Sequence, residues 1–475
     1  MNKHKKQISG VKSLIRSLEG LFEIAILAVI YYMVWRQAYN PELFPTYYGM
    51  GKYVLAGVYA LLVVVLFSAF DGFKFGYLKI VEALLSQGIS LLIANFITYW
   101  QLCLIANVLI APTPILVLMG IDAVIVFCCV FFYSWIYHQL YVPKNMAMVF
   151  GRDNAIALKF KMETRPDKYQ IKKLIPAEDG LESICRQIVN YDAVILNDSP
   201  SQIRNDLLKF CYQHRVRTYV APKLTDIIVR GANSINLFDT PLLLVKGNGL
   251  TPVQRIVKRA LDLIFCLLVT VITAPLMLII ALAIKLEDGG PVFYKQKRAT
   301  LGNKEFDILK FRSMVVDADR IGNQAGATTD DPRITKVGRI IRATRIDELP
   351  QLLNILKGDM SIVGPRPERV EHMKDYGEKI PEFDFRTKVK GGLTGFAQIY
   401  GKYNTSPYDK LRLDLMYIEN YSFILDIKLI LMTIRIMLSK DSTEGFDKVE
   451  EAERMKEEVL HQMHEQREKE EALPK

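Results

Sequence analysis

Residues 263–284 read L-I-F-C-L-L-V-T-V-I-T-A-P-L-M-L-I-I-A-L-A-I, a run without a single charge. A helix needs about 20 such residues to cross the hydrocarbon core of a bilayer, so this run is long enough to span. Pro275 sits at its middle, where a missing amide removes one helix hydrogen bond and forces a kink. Lys258 and Arg259 precede the run and Lys285 follows it, so neither flank is marked for export. The fold turns on whether this run crosses or returns. A crossing helix puts residues 285–475 on the far side of the membrane. A run that breaks at Pro275 and turns back leaves both flanks on one side, provided the polar groups at the break are satisfied.

Upstream lie four more apolar runs, at about 20–35, 53–70, 80–99 and 115–137, each near spanning length. Their connections set the orientation. Lys3, Lys5, Lys6, Lys12 and Arg16 precede the first run, and Lys74 and Lys79 separate the second from the third. Lys144, Arg152, Lys159 and Lys161 follow the fourth. The segment 101–114 carries no charge and 37–52 only Glu42 and Lys52. The positive-inside rule therefore puts both ends of this bundle in the cytoplasm. Trp35, Trp100 and Trp135 fall at run ends, the place of interfacial anchors. No small-residue cleavage pattern follows the first run, so it reads as a retained span and not as a signal peptide.

Of the 475 residues, 50% are hydrophobic while 24% are charged, which points to membrane segments joined to soluble domains. Two or three folding units are expected at this length. The tail 441–475 holds twelve acidic and six basic side chains, so the rest of the chain stands at +16. A basic body suits phosphates, nucleotides and acidic lipid headgroups. Nucleic acid is not indicated, since no basic stripe or set of stacking aromatics lies on a soluble face. The six cysteines form no C-x-x-C pair and the histidines are scattered, so neither a disulfide framework nor a zinc site is supported.

From about 145 to 246 short β-rich runs alternate with polar helical stretches: Met146–Phe150, Ala193–Leu196, Thr218–Val220 and Leu242–Val245. This predicts a small α/β unit with a parallel sheet. Gly151 follows the first strand, but Arg152, Asp153 and Asn154 replace the rest of a G-x-G-x-x-G loop. A structural or regulatory module is favoured over a dinucleotide site.

Residues 251–440 are basic again, with thirty Lys and Arg against twenty-two Asp and Glu. They contain K-R-A-L-D at 258–262, L-K-F-R-S-M at 309–314 and R-A-T-R-I-D-E-L-P-Q at 342–351. G-D-M-S-I-V-G-P-R-P-E at 358–368 and K-G-G-L-T-G-F-A-Q at 390–398 follow. Asp347 and Glu348 come after Arg339, Arg342 and Arg345, which are spaced by three and so lie roughly on one helix side. Pro350 then marks the first turn of a helix that closes at Gly358. Two carboxylates beside arginines can serve an anionic reaction centre if a cation helps, and magnesium takes few protein carboxylates plus phosphate oxygens. A surface charge network with Asp as a helix cap reads the same on spacing alone. Arg366 lies between Pro365 and Pro367, which fix the backbone around one guanidinium and favour a held phosphate contact over a mere surface turn. Lys310 and Arg312 flank Phe311, so in a strand they share one face.

Taken together, these segments resemble the monotopic phosphoglycosyl transferases, which make polyprenyl-diphosphate-linked sugars for capsule, exopolysaccharide and O-antigen synthesis. The resemblance covers 251–440. The four spans and the α/β unit before it look like the long form, the undecaprenyl-phosphate galactose or glucose phosphotransferases, with 141–250 as its Rossmann-like, CoA-binding-like module. It implies a membrane protein of α plus α/β class. A four-span bundle occupies 1–140 and a monotopic catalytic domain 251–440, with a re-entrant helix at about 256–286. A charged helical tail fills 441–475.

The resemblance also implies chemistry. Asp347 becomes the nucleophile that attacks the β-phosphate of a UDP-hexose and releases UMP. Glu348 binds Mg2+ or helps activate undecaprenyl phosphate. Lys310, Arg342 and Arg366 hold phosphates and the nucleotide, with Arg312 beside them. Lys258, Arg259 and Asp262 form the base of the membrane hairpin, and Pro275 its turn. The site then lies at the cytoplasmic face of a bacterial plasma membrane, in contact with lipid, in a chain expected to form a homo-oligomer, a dimer. Three departures stand out. Ala274-Pro275 replaces a Ser-Pro break, Gly391 replaces a proline and is expected to loosen its turn, and the acidic tail is extra.

Two rivals compete: a membrane sensor that reads a nucleotide through the α/β unit, and a polytopic transferase that joins both substrates directly. The second needs aspartate-rich loops between spans, whereas Asp330-Asp331 sit in a soluble stretch. No motif reads the orientation of a single sugar hydroxyl, so the hexose stays open.

Overall fold

The computed structural model describes residues 2–42, 46, 49–140, 143–151, 154–237, 239–247, 249–316, 318, 331–401 and 405–437. Side chains of 2–17, 42, 140 and 154–157 are not among those described. Arg152, Asp153, Asp330 and the acidic tail therefore lie outside the described residues. The chain divides into two units, residues 1–145 with 162–170, and residues 146–161 with 171–475.

The first unit is built on four long helices, α1 (Asn2–Val34), α2 (Gly51–Ala69), α3 (Ile80–Ala106) and α4 (Thr113–Leu140). All four are long and apolar enough to span, over Leu18–Tyr39, Gly51–Ala69, Ile80–Ala106 and Thr113–Gln139. Their outer faces expose Leu61, Phe96 and Phe127, as a lipid-facing surface should. Inside, polar groups meet one another. Tyr59 donates to Asn95 Oδ1 and Asp122 Oδ2, both at 3.1 Å, and Asn95 donates to Asp122 Oδ2 at 2.8 Å. Gln87 donates to Glu23 Oε2 at 3.1 Å. Such bonds hold helices together where no hydrophobic force separates helix from lipid. Trp35 corrects the sequence reading. It is only 1% exposed and packs inside the bundle, while Trp100 and Trp135 are exposed at run ends.

The second unit opens with most of the α/β module: β1 (Lys144–Phe150), α5 (Asn154–Glu163), β2 (Tyr169–Pro176), α6 (Leu181–Ile188), β3 (Ala193–Asn197), α7 (Ser201–Gln213), β4 (Arg217–Val220) and α8 (Leu224–Arg230), of which residues 144–145, 162–163 and 169–170 belong to the first unit. The sheet order is β2-β1-β3-β4, with β1–β3 and β3–β4 parallel. Ala147, Val149, Val194 and Leu196 from its strands pack on Ile184, Ile188 and Leu207 from its helices. The expected strand Leu242–Val245 is not part of this sheet. It belongs to an antiparallel hairpin, β5 (Asn233–Leu237) with β6 (Thr240–Leu244), whose residues are all exposed. An apolar run alone cannot tell a buried parallel strand from a hairpin arm.

Next comes α9 (Pro252–Asp288). It begins before the expected residue 256: Thr251 Oγ1 accepts from the Gln254 amide, Gln254 Oε1 accepts from the Thr251 amide, and Pro252 takes the first helical position. Gly289, at φ 71°, closes it. The expected break at Pro275 is absent, because the helix continues through the proline. What replaces the break is a one-sided helix. Lys258, Asp262, Cys266, Ile280 and Ile284 are buried and share one face at helical spacing. Pro275 and the opposite apolar face, including Ile264, Val271, Ile272, Leu278 and Ile279, are exposed.

The remaining elements are β7 (Phe293–Ala299), β8 (Glu305–Phe311), α10 (Lys336–Ala343), α11 (Gln351–Lys357), β9 (Ser361–Val363), α12 (Val370–Lys379), β10 (Gly392–Thr394), α13 (Phe396–Tyr400), α14 (Pro407–Glu419) and α15 (Phe423–Met437). Both limbs of α9 are fastened to them. At one end Lys258 pairs with Asp426 at 2.6 Å, Arg259 donates to the carbonyls of Ile355 and Leu356, and Asp262 accepts from Ser361 Oγ and the Ile362 amide. At the other end Ile280 and Ile284 pack with Phe311 and Ile341, and Glu287 accepts from the Lys336 amide at 2.8 Å. Both ends of this continuous helix are therefore docked on the same body of polar elements. Leu224 and Ile227 of α8 share a core with Val363, Phe383, Leu411 and Leu415, so the α/β module and the region after it are packed as one.

Candidate active site

Three segments of chain converge. The hairpin β7–β8 pairs Tyr294 with Lys310 and carries Lys310 at its end. After α10 the chain turns through Arg345, at φ 57°, into a single tight turn, Ile346–Glu348. A left-handed conformation costs a non-glycine residue roughly 1–2 kcal/mol, so this turn is held by its surroundings. The third segment is Gly364–Pro367, just after β9.

Glu348 is where they meet. Its Oε1 accepts from Lys310 Nζ at 3.0 Å and from Arg366 Nη2 at 2.6 Å. Burial works against the charge on Glu348, but Arg366 and Lys310 outweigh it and hold the carboxyl well below the usual range. Glu348 in turn raises Arg366 further above its ordinary value. Lys310 is lowered by burial, against the pull of Glu348. Asp347 behaves oppositely. Burial raises it, Glu348 raises it too, and Lys310, Arg342 and Arg366 only partly offset this. Its carboxylate takes no hydrogen bond among the described residues. One carboxylate is thus fixed as an ion, and its neighbour is left unbonded and more basic than usual.

The structure places the other expected residues differently. Arg342 ends α10 and acts on Asp347 through charge. Arg312 lies one residue beyond β8 and turns away from Lys310. Its guanidinium holds Asp288 at the end of α9 and donates to the Pro291 carbonyl at 2.6 Å. It fastens the membrane helix and is not gathered with the phosphate-binding candidates. Lys258, Arg259 and Asp262 do the same for the other limb of α9. Gly391 does not loosen its turn. A Cβ there would lie 2.5 Å from Pro367 Cγ, and its amide donates to Thr300 Oγ1 at 3.1 Å, a bond proline cannot make. Arg298 was missed by sequence reading. It donates to the Pro367 carbonyl at 3.0 Å and is lowered to about 10, first by burial and then by Arg366. Its place in a strand, Q-K-R-A, carried no signal.

Among the described residues no group of three or more His, Cys, Asp or Glu is arranged to hold a metal ion. The oxygens available are those of Asp347 and Oε2 of Glu348, which carries no hydrogen bond among the described residues. That suits a hard cation taking one or two protein carboxylates and completing its shell from substrate phosphate and water.

The bacterial sugar transferase family matches residues 253–440. The UDP-glucose:undecaprenyl-phosphate glucose-1-phosphate transferase of Caulobacter vibrioides is 43% identical over 212 residues, 43% of this chain and 78% of that protein. The UDP-N-acetylgalactosamine-undecaprenyl-phosphate N-acetylgalactosaminephosphotransferase of Aeromonas hydrophila is 35% identical, over 53% of this chain and 60% of its own length. An Escherichia coli (strain K12) protein named like the first is 41% identical over 43% of this chain and 44% of its own. The match therefore covers about half the length of some of these relatives and most of one. With residues 253–440 matching the family and 78% of the Caulobacter vibrioides transferase covered at 43% identity, the chain belongs to the bacterial sugar transferase family.

Proposed function

We propose that this protein transfers a hexose-1-phosphate from a UDP-hexose to undecaprenyl phosphate, yielding undecaprenyl-diphosphate-hexose and UMP. The observation that carries this reading is the opposed pair: Glu348 clamped by Lys310 and Arg366, beside an unbonded Asp347 raised by burial. The names of the relatives supply the substrate class, glucose in some and N-acetylgalactosamine in another, so the hexose is left open.

In the first step an Asp347 carboxylate oxygen attacks the sugar-bearing β-phosphorus. The bond from that phosphorus to the bridging oxygen breaks and UMP departs, leaving an aspartyl phosphosugar. In the second step a phosphate oxygen of undecaprenyl phosphate attacks the same phosphorus and frees Asp347. Arg366 and Lys310, already poised on Glu348, supply fixed positive charge to the phosphates, and Arg342 adds to the field. Glu348, through its unbonded Oε2, would hold Mg2+, which would neutralise diphosphate charge.

The same reading puts α9 in the cytoplasmic leaflet of a bacterial plasma membrane, with the residues after it on the cytoplasmic face. Supporting this are its two docked ends and the basic flanks of the upstream spans. Division into a bundle over 1–140, a Rossmann-like module over 141–250, a catalytic domain over 251–440 and a tail is part of the proposal. So is a homo-oligomer, for which the exposed Ile235, Leu237 and Leu242–Leu244 of the β5–β6 hairpin offer an apolar surface. Incubating membranes with undecaprenyl phosphate and a panel of UDP-sugars tests the reaction. UMP release with at least one UDP-hexose is expected, and release with none of them would refute it.

A further inference from the structure

Arg366 owes its aim to more than its two prolines. Pro365 and Pro367 fix their own φ, and a residue before proline is confined to extended backbone. The freedom left at Arg366 is the tilt of the peptide plane it shares with Pro367, which its own carbonyl marks. That carbonyl accepts from Arg386 Nη2 at 2.9 Å. Its neighbours are held as well: Pro365 O by the Gly392 amide (2.9 Å), Pro367 O by Arg298 (3.0 Å) and Glu368 O by the Ala299 amide (3.0 Å).

Arg386 lies twenty residues downstream and is only 3% exposed. Asp414, 1% exposed, accepts from its Nε at 2.9 Å and pairs with its Nη2 at 2.7 Å. Glu368 stands 3.4 Å from its Nη1, and Lys410 shares that carboxylate at 3.5 Å. A buried ion pair is a poor way to gain stability, because apolar residues of similar volume often do as well. What an apolar side chain cannot do is donate to one chosen carbonyl in a fixed direction.

We infer that Arg386, oriented by Asp414 and Glu368, is a positioning residue that sets the direction of the Arg366 guanidinium toward the transferred phosphate. It touches no reacting atom and acts through the Arg366 carbonyl. The inference rests on the proposed reaction, in which Arg366 holds the phosphate.

The test is a double-mutant cycle on the full-length protein, reading the first half-reaction: the rate of UMP release from UDP-glucose, or whichever UDP-hexose the wild type accepts. Arg386→Lys keeps the charge and loses the fork, and Arg366→Lys blunts the group being aimed. Arg386→Lys is expected to slow release by about tenfold or more in the wild-type background. In the Arg366→Lys background it should slow release by less than about twofold, because there is no fork left to aim. Loss of folded protein would multiply both backgrounds equally, so the cycle separates aiming from stability. Asp414→Asn, which leaves Arg386 in place with a weaker partner, should show the same dependence at smaller size. Equal losses in both backgrounds, or none in either, would overturn the inference while leaving the reaction standing. A wild type that releases no UMP overturns both.

Discussion

Asp347 and Glu348 are neighbours in the chain, yet their carboxyl groups are driven apart, Asp347 raised by burial and Glu348 lowered by Arg366 and Lys310 against its own burial. Attack requires ionised Asp347. Because its pKa is raised, the rate of the first half-reaction should fall with falling pH above the ordinary aspartate range. Glu348→Gln removes a negative neighbour, so the acid limb should move to lower pH while the maximal rate drops. Lys310→Met removes a positive neighbour and should move the limb to higher pH. pH profiles of UMP release in the three proteins check this. Limbs that coincide would mean that Asp347 does not titrate in the rate.

Gly391 gives a sharper test of packing. The structure leaves no room for a side chain there: any Cβ meets the Pro367 ring. Gly391→Ala should destabilise by about 1–3 kcal/mol through overpacking. Gly391→Pro should do so by more, since it also loses the bond to Thr300. Thermal melts in detergent measure both, and a proline variant as stable as wild type would contradict the account.

A chain beginning near residue 250 loses Leu224 and Ile227 from a core that they share with Phe383, Leu411 and Leu415. Uncovering that surface forfeits burial worth about 1.5–3 kcal/mol for each large side chain. Such a truncated protein should keep residual UMP release but melt well below the full chain. Unchanged stability would show the two regions to be independent.

Topology follows from the two docked ends of α9. Lys258 is buried against Asp426 and unsuitable for labelling, whereas Val253 and Leu286 are exposed at the helix ends. With the six native cysteines replaced, Val253→Cys and Leu286→Cys should both react only with reagent on the cytoplasmic side. Labelling of the second from outside would establish a crossing helix.

The sequence carried what is local. Span lengths and the acidic pair each depend on residues a few positions apart, whereas the ends of α9 lie a few residues outside the expected 256–286. It did not carry what depends on distant partners. That the helix runs on through Pro275 was not legible, and Phe311, Ile341 and Asp426, which dock its two ends, lie far along the chain. Arg312 was grouped with Lys310 by alternation along a strand, but Asp288, far upstream, claims it one residue past the strand's end. Trp35 sat where an anchor belongs and was drawn inside by neighbouring helices. The β5–β6 hairpin was invisible as such because an apolar run of this length fits either sheet.

The covalent role of Asp347 is the centre of the account, and one measurement reaches it most directly. Purified protein is mixed with UDP-hexose in the absence of undecaprenyl phosphate, and both UMP and the mass of the peptide bearing Asp347 are followed. A burst of UMP up to the enzyme concentration is expected, with a phosphohexose retained on that peptide and a loss of about 10³-fold or more in Asp347→Asn. Release of UMP only when undecaprenyl phosphate is present, with the peptide unmodified, would contradict it.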